Sequence, residues 1–101
     1  MTDTVLVVVQ ARMSSRRFPG KMLAPLRGRP IIAHVVGRIA TALPMLPIVV
    51  ATSDHPTDDP LAAYVPTIGV PVFRGPLDRL FDRFSACADA HPCPWILPVN
   101  A

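Results

Sequence analysis

Apolar residues in this chain fall into two alternating patterns. Thr4–Val9 is a continuous β-branched run, the mark of a strand buried on both faces. Pro47–Thr52, Val70–Phe73 and Trp95–Val99 are similar short runs. Between them the apolar positions take helical spacing. Ile31, Ile32, Val35, Val36, Ile39, Ala40 and Leu43 follow Pro30, which suits a first helical turn. Leu77, Leu80, Phe81, Phe84 and Ala88 form a second such face. A weaker helix is expected from Asp58-Asp59-Pro60, with its acids near the positive end of the dipole and Pro66 cutting it short. The predicted order is β-α-β-α-β-α-β. Short buried strands alternating with helices imply an α/β fold with a parallel sheet. Such sheets bind ligands beyond the carboxyl ends of their strands. That rule gathers Gln10–Arg29, Ser53–Asp58, Arg74–Pro76 and Asn100-Ala101 on one rim.

Composition narrows the class. The chain has 101 residues, 50% hydrophobic and 17% charged, which fits a globular domain and not a disordered one. No apolar run approaches the ~20 residues of a membrane-spanning helix, and Val5–Val9 is too short for the core of a signal peptide. Cys87 and Cys93 have neither a redox nor a zinc spacing, and they make no disulfide framework. A cytoplasmic protein with two reduced thiols is expected. The net charge of +3 is uneven: residues 1–50 hold seven bases and one acid, residues 51–101 three bases and six acids. Because Phe18 is the one aromatic among those bases, nucleic acid is not expected as a partner.

Four of the first seven bases lie in Gln10–Lys21. This segment is long for a strand-to-helix connection and also carries Ser14, Ser15 and a Pro19-Gly20 turn, with no acid. Arginine forks, a lysine, hydroxyls and backbone N–H groups all suit phosphate oxygens, so the segment reads as a polyphosphate cradle. A solvated basic loop is the plainer reading. Walker A fails at Ser15 and Met22, and no G-x-G-x-x-G follows the strand. Asp54 reads as a turn residue or a rim ligand, His55 as a rim residue, His34 as half-exposed on its helix, and Asp58 and Asp59 as helix caps. Arg79, Asp82 and Arg83 read as a solvated face and Trp95 as core.

Ala11-Arg12-Met13-Ser14-Ser15-Arg16-Arg17-Phe18-Pro19-Gly20-Lys21 resembles the A-R-x-G-S-x-R-L-P-G-K signature of the sugar cytidylyltransferases. These include the acylneuraminate and 3-deoxy-manno-octulosonate enzymes. Val50–Leu61 resembles V-A-T-S-x-x-P-x-D-D-P-I, Gly69–Gly75 resembles G-V-P-V-F-R-G, and Leu80–Phe84 resembles V-L-D-R-Y, all of the spore-coat polysaccharide (SpsF-like) branch. The resemblance implies a Rossmann-like nucleotide-diphospho-sugar transferase fold. It also implies coupling of CTP to a sugar or sugar acid in surface polysaccharide biosynthesis, with Mg2+ and release of pyrophosphate. By motif, Arg12 and Lys21 would be the catalytic cations on the triphosphate, with Ser15 and Arg17 supporting the loop. Ala11 would read the base through its backbone, Thr52, Ser53 and Asp54 would lie near base and ribose, and Arg74 would line the pocket.

Three departures stand out. Ser14 replaces a glycine and would be strained if that position needs positive φ. Arg16 replaces a small residue. Asn100-Ala101 ends where the family's T-G-D, with its metal-binding Asp, should continue. Residues 1–101 are therefore expected to be the N-terminal nucleotide-binding part of a truncated domain, with no metal ligand of its own. Such a part would bind nucleotide without completing catalysis. Two alternatives accompany this reading: a non-catalytic module completed by a homodimer or another chain, and a glycosyltransferase-like domain using a nucleotide sugar.

Overall fold

The computed structural model describes residues 5–14, 19–75 and 95–101. Four parallel strands form the main sheet: β1 (Val5–Gln10), β4 (Ile48–Ser53), β5 (Val72–Gly75) and β6 (Trp95–Asn100), in the spatial order β5-β4-β1-β6. Each matches a predicted run to within about two residues. The register pairs Val9 with Val50 on one side of β1 and with Val99 on the other. Val7, Val8, Val9, Val49, Val50 and Ala51 are wholly buried, as expected of strands covered on both faces.

The sheet separates two apolar clusters. On one face Val7, Val9 and Val50 pack with Met22, Ile32, Val36, Leu61 and Val65. On the other lie Leu6, Val8, Val49 and Ala51, with Phe73 against them. Full burial of side chains this size contributes roughly 1.5–3 kcal/mol each, enough to make the first face the main anchor of the helices.

Helix α1 (Ile31–Ala42) turns Ile32, Ala33 and Val36 inward, and Pro30 stands at its N-cap position. The long loop expected before it contains structure. Lys21–Leu23 form a 3-10 turn, and a small antiparallel hairpin joins β2 (Pro25–Leu26) to β3 (Arg29–Pro30). Its turn residues Arg27 and Gly28 have φ of 53° and 81°, the paired positive angles that tight hairpins require. His34 Nε2 sits 2.7 Å from the Leu26 carbonyl and ties α1 to this hairpin.

Helix α2 (Asp59–Tyr64) follows a 3-10 turn at Pro56–Asp58. As expected, α2 is cut short ahead of Pro66, ending at Tyr64. Lacking an N–H for the α-type bond, Pro66 shifts the chain into a 3-10 turn over Val65–Ile68. Among the described residues β6 is an edge strand. Leu97 is 41% exposed there, and Pro98, which cannot donate to a ladder, is tolerated at such an edge. The predicted helix over Leu77–Ala88, with Arg79, Asp82 and Arg83, lies outside the described residues, as do Cys87 and Cys93.

Candidate functional site

Strand order locates the site. The chain steps from β1 outward to β4 and β5, then returns to place β6 on the other flank of β1. A crevice opens at such a reversal, beyond the carboxyl ends of the two strands flanking it, here Gln10 and Asn100. The ladder runs one residue further on each side. The Ala11 amide donates to Ala51 O at 3.0 Å, and the Ala101 amide donates to Gln10 O at 3.0 Å. Ala11 is buried, and the exposed Arg12 is where the loop leaves the sheet.

Beyond Arg12 the loop is fixed through its backbone. The Met13 amide donates to Asp58 Oδ1 at 2.6 Å, and the Met13 carbonyl accepts from the Gly20 amide at 2.8 Å. Gly20 has a φ of 77°, in the region that favours glycine. The 13–20 closure leaves Arg12 just before it and Lys21 just after it. Both cations therefore flank one pinned point of backbone. Lys21 opens the 3-10 turn whose next residue, Met22, is only 2% exposed in the core. Ser14 has no positive φ; among the described non-glycine residues that conformation belongs to Arg27. The strain considered for Ser14 is thus absent. Ser15 and Arg17 lie outside the described residues.

The loop after β4 uses its side chains internally. Ser53, fully buried, donates through Oγ to Asp58 Oδ2 and accepts from the His55 amide at 3.2 Å. His55 Nδ1 accepts from the Thr57 amide at 3.2 Å, capping the Pro56–Asp58 turn. Thr52 is also fully buried, and its Oγ1 has no partner. Of the three residues expected near base and ribose, only Asp54 has an exposed side chain; its amide donates to Gly75 O at 2.8 Å. Arg74 spans this loop. Its Nε donates to Ser53 O at 2.9 Å, and its Nη2 donates to His55 O at 3.0 Å and to Asp59 Oδ1 at 2.8 Å.

The two acids expected as caps act differently. Asp59 pairs with Arg74 at the surface. Asp58 stands at the N-cap position of α2 but makes no capping bond with its side chain, because that side chain turns inward and is wholly buried. Sequence reasoning missed this role. Its only trace was a second acid where one cap would serve. Gln10 went unnoticed too, and its Oε1 is buried without a partner at the end of β1.

The described residues hold no ready-made ligand cluster for Mg2+. No three of His, Cys, Asp or Glu gather among them. Asp58 gives its two oxygens to Met13 and Ser53, and Asp59 is paired with Arg74. No helix among the described residues is long and apolar enough to cross a membrane.

The family model described as Cytidylyltransferase matches residues 6–97. The chain is 39% identical over 92 residues to the spore coat polysaccharide biosynthesis protein SpsF of Bacillus subtilis (strain 168), covering 87% of this chain and 38% of that protein. It is 39% identical over 85 residues to the 3-deoxy-manno-octulosonate cytidylyltransferase of Anaeromyxobacter sp. (strain Fw109-5), covering 83% and 33%. A cytidylyltransferase structure from Leptospira borgpetersenii serovar Hardjo-bovis (strain JB197) superposes with a TM-score of 0.88 at 29% identity, over 96% of this chain and 41% of that one. The chain thus spans under half the length of these relatives, and its parallel α/β sheet has the nucleotide-diphospho-sugar transferase fold. The chain belongs to the cytidylyltransferase family.

Proposed function

We propose that residues 1–101 form the N-terminal, nucleotide-binding part of a cytoplasmic enzyme that activates a sugar or sugar acid with CTP for surface polysaccharide synthesis. The observation that carries this reading is the pinned loop after β1. It sets Arg12 and Lys21 on either side of the Met13–Gly20 closure, at the mouth of the sheet's reversal point. In the proposed reaction an oxygen of the sugar attacks the α-phosphorus of CTP, the bond to the bridging oxygen breaks, and pyrophosphate leaves. Negative charge builds on the equatorial oxygens and on the departing group. Cations held there in advance stabilise that charge more than they stabilise bound substrate. In this reading Arg12 and Lys21 grip the triphosphate, with Ser15 and Arg17 beside them, and Ala11 offers its backbone to the base.

In this reading the β4 loop contributes mainly by holding the rim. Asp54 faces the nucleotide and Thr52 lies buried beneath it, while Ser53 and Arg74 hold the rim through their hydrogen bonds. The test is calorimetric titration of the chain with CTP and with ATP, each with Mg2+ and with EDTA. CTP is expected to bind in preference to ATP, and Arg12→Ala or Lys21→Ala to abolish that binding. Equal uptake of both nucleotides, or indifference to both substitutions, would refute the reading.

A second reading follows from β6. Its outer edge is open among the described residues and Leu97 is half-exposed on it, so further protein is expected to cover this side, from the same chain, a second copy or another chain. Sedimentation of the 101-residue chain as a stable, soluble monomer would contradict it.

A further inference from the structure

We propose that Asp58 is a positioning residue for the nucleotide site. In this role its buried carboxylate, braced by Ser53, holds the Met13 amide and so sets the point from which Arg12 leaves the sheet. The inference rests on the reading of the β1 loop as the phosphate cradle.

The sheet can direct the chain only as far as Ala11, whose amide makes the last ladder bond to β4. Two residues later the Met13 amide is part-buried and has no strand partner. Asp58, 45 positions away in sequence, supplies the acceptor at 2.6 Å. The other carboxylate oxygen takes the hydroxyl of Ser53, the last residue of β4. Ser53 in turn is wholly buried and also receives the His55 amide. A continuous set of hydrogen bonds thus runs from the end of β4 to the loop after β1.

Helix capping does not account for this residue. A Ser or Asn would cap α2 without taking a charge out of water, and the Asp58 side chain makes no capping bond. Nor can Asp58 touch a ligand in this structure, since it is 0% exposed. What the carboxylate secures is the placement of one backbone N–H. Its two oxygens accept from the Met13 amide and the Ser53 hydroxyl at once, and this braced pair of bonds holds that N–H against the motion of an exposed loop.

The test uses the whole chain and reads two quantities: CTP affinity by calorimetry and exchange of the Met13 amide by NMR, with Val8 as an internal reference. Asp58→Ala is expected to weaken CTP binding about tenfold or more and to speed Met13 exchange by a similar factor, leaving Val8 unchanged. Asp58→Asn can still accept from Met13 through its oxygen and donate to Ser53 through its nitrogen. It is expected to keep affinity within about threefold and to keep Met13 protected, which a role for the charge itself would not allow. Ser53→Ala removes the brace and serves if Asp58→Ala fails to fold; faster Met13 exchange is expected, again with Val8 unchanged.

A folded Asp58→Ala with wild-type affinity and wild-type Met13 exchange would overturn the proposal. So would an Asp58→Asn as impaired as Asp58→Ala, or a folded Ser53→Ala with unchanged Met13 exchange. If the wild-type chain takes up no CTP, the phosphate-cradle reading fails and Met13 exchange alone decides whether Asp58 is a latch.

Discussion

The loop after β1 and the loop after β4 meet at the same rim but are built on opposite plans. The β4 loop binds itself. Ser53, His55, Thr57, Asp58, Asp59 and Arg74 are joined by hydrogen bonds within it or to its immediate neighbours. The β1 loop is held by its backbone at Met13 and Gly20 and by the buried Met22, while Arg12 stays exposed and Lys21 half-exposed. One loop spends its polar groups on rigidity. The other borrows that rigidity and leaves its cations available to a ligand. Precise placement of charge therefore comes from a neighbouring segment, because a side chain tied into its own loop cannot also grip a phosphate.

Breaking the anchor of the β1 loop is expected to have the largest effect on stability. Met22→Ala opens a cavity beneath the 3-10 turn and is expected to cost about 2–5 kcal/mol by urea denaturation. Ser53→Ala strikes the brace between the loops. It leaves the buried Asp58 carboxylate short of a donor, and about 1–3 kcal/mol is expected by the same measurement. Arg74→Ala removes a clamp within the β4 loop. Its ion pair with Asp59 is 31% and 62% exposed on the two side chains, so solvent screens it. A loss of about 1 kcal/mol is expected, and the β1 loop's grip on CTP should be nearly unchanged. A large loss of CTP binding in Arg74→Ala would mean that the division of labour between the loops is wrong.

Much of the scaffold was legible in the sequence because it depends on burial pattern alone. Thr4–Val9 and Pro47–Thr52 read as strands since the positions there are β-branched, apolar or small, and α1 declared itself by its periodic face. Features set by single contacts were harder to see. Three kinds stand out. The β2-β3 hairpin is two residues on each side, too short for any periodicity, and only Gly28 after Arg27 hinted at it. Pro66 was read as cutting the helix short, and α2 does end at Tyr64, but the 3-10 turn that follows, which needs no N–H at that position, left no pattern of its own. Asp58 was read as a cap since local chemistry allowed it, whereas its partner Met13 is 45 residues away and no local pattern reports such a pairing. At the site, the basic loop was plain from its charge, and the means of holding it was not.

In the proposed enzyme the β1 loop, and not the β4 loop, receives the phosphates of CTP. An amide-resolved NMR titration of the chain with CTP tests it directly. The largest shifts are expected at Arg12, Met13, Gly20 and Lys21, with small changes at His55 and Thr57, and Lys21→Ala is expected to remove them. Shifts concentrated at His55 and Thr57, or a β1 loop silent at saturating CTP, would contradict it.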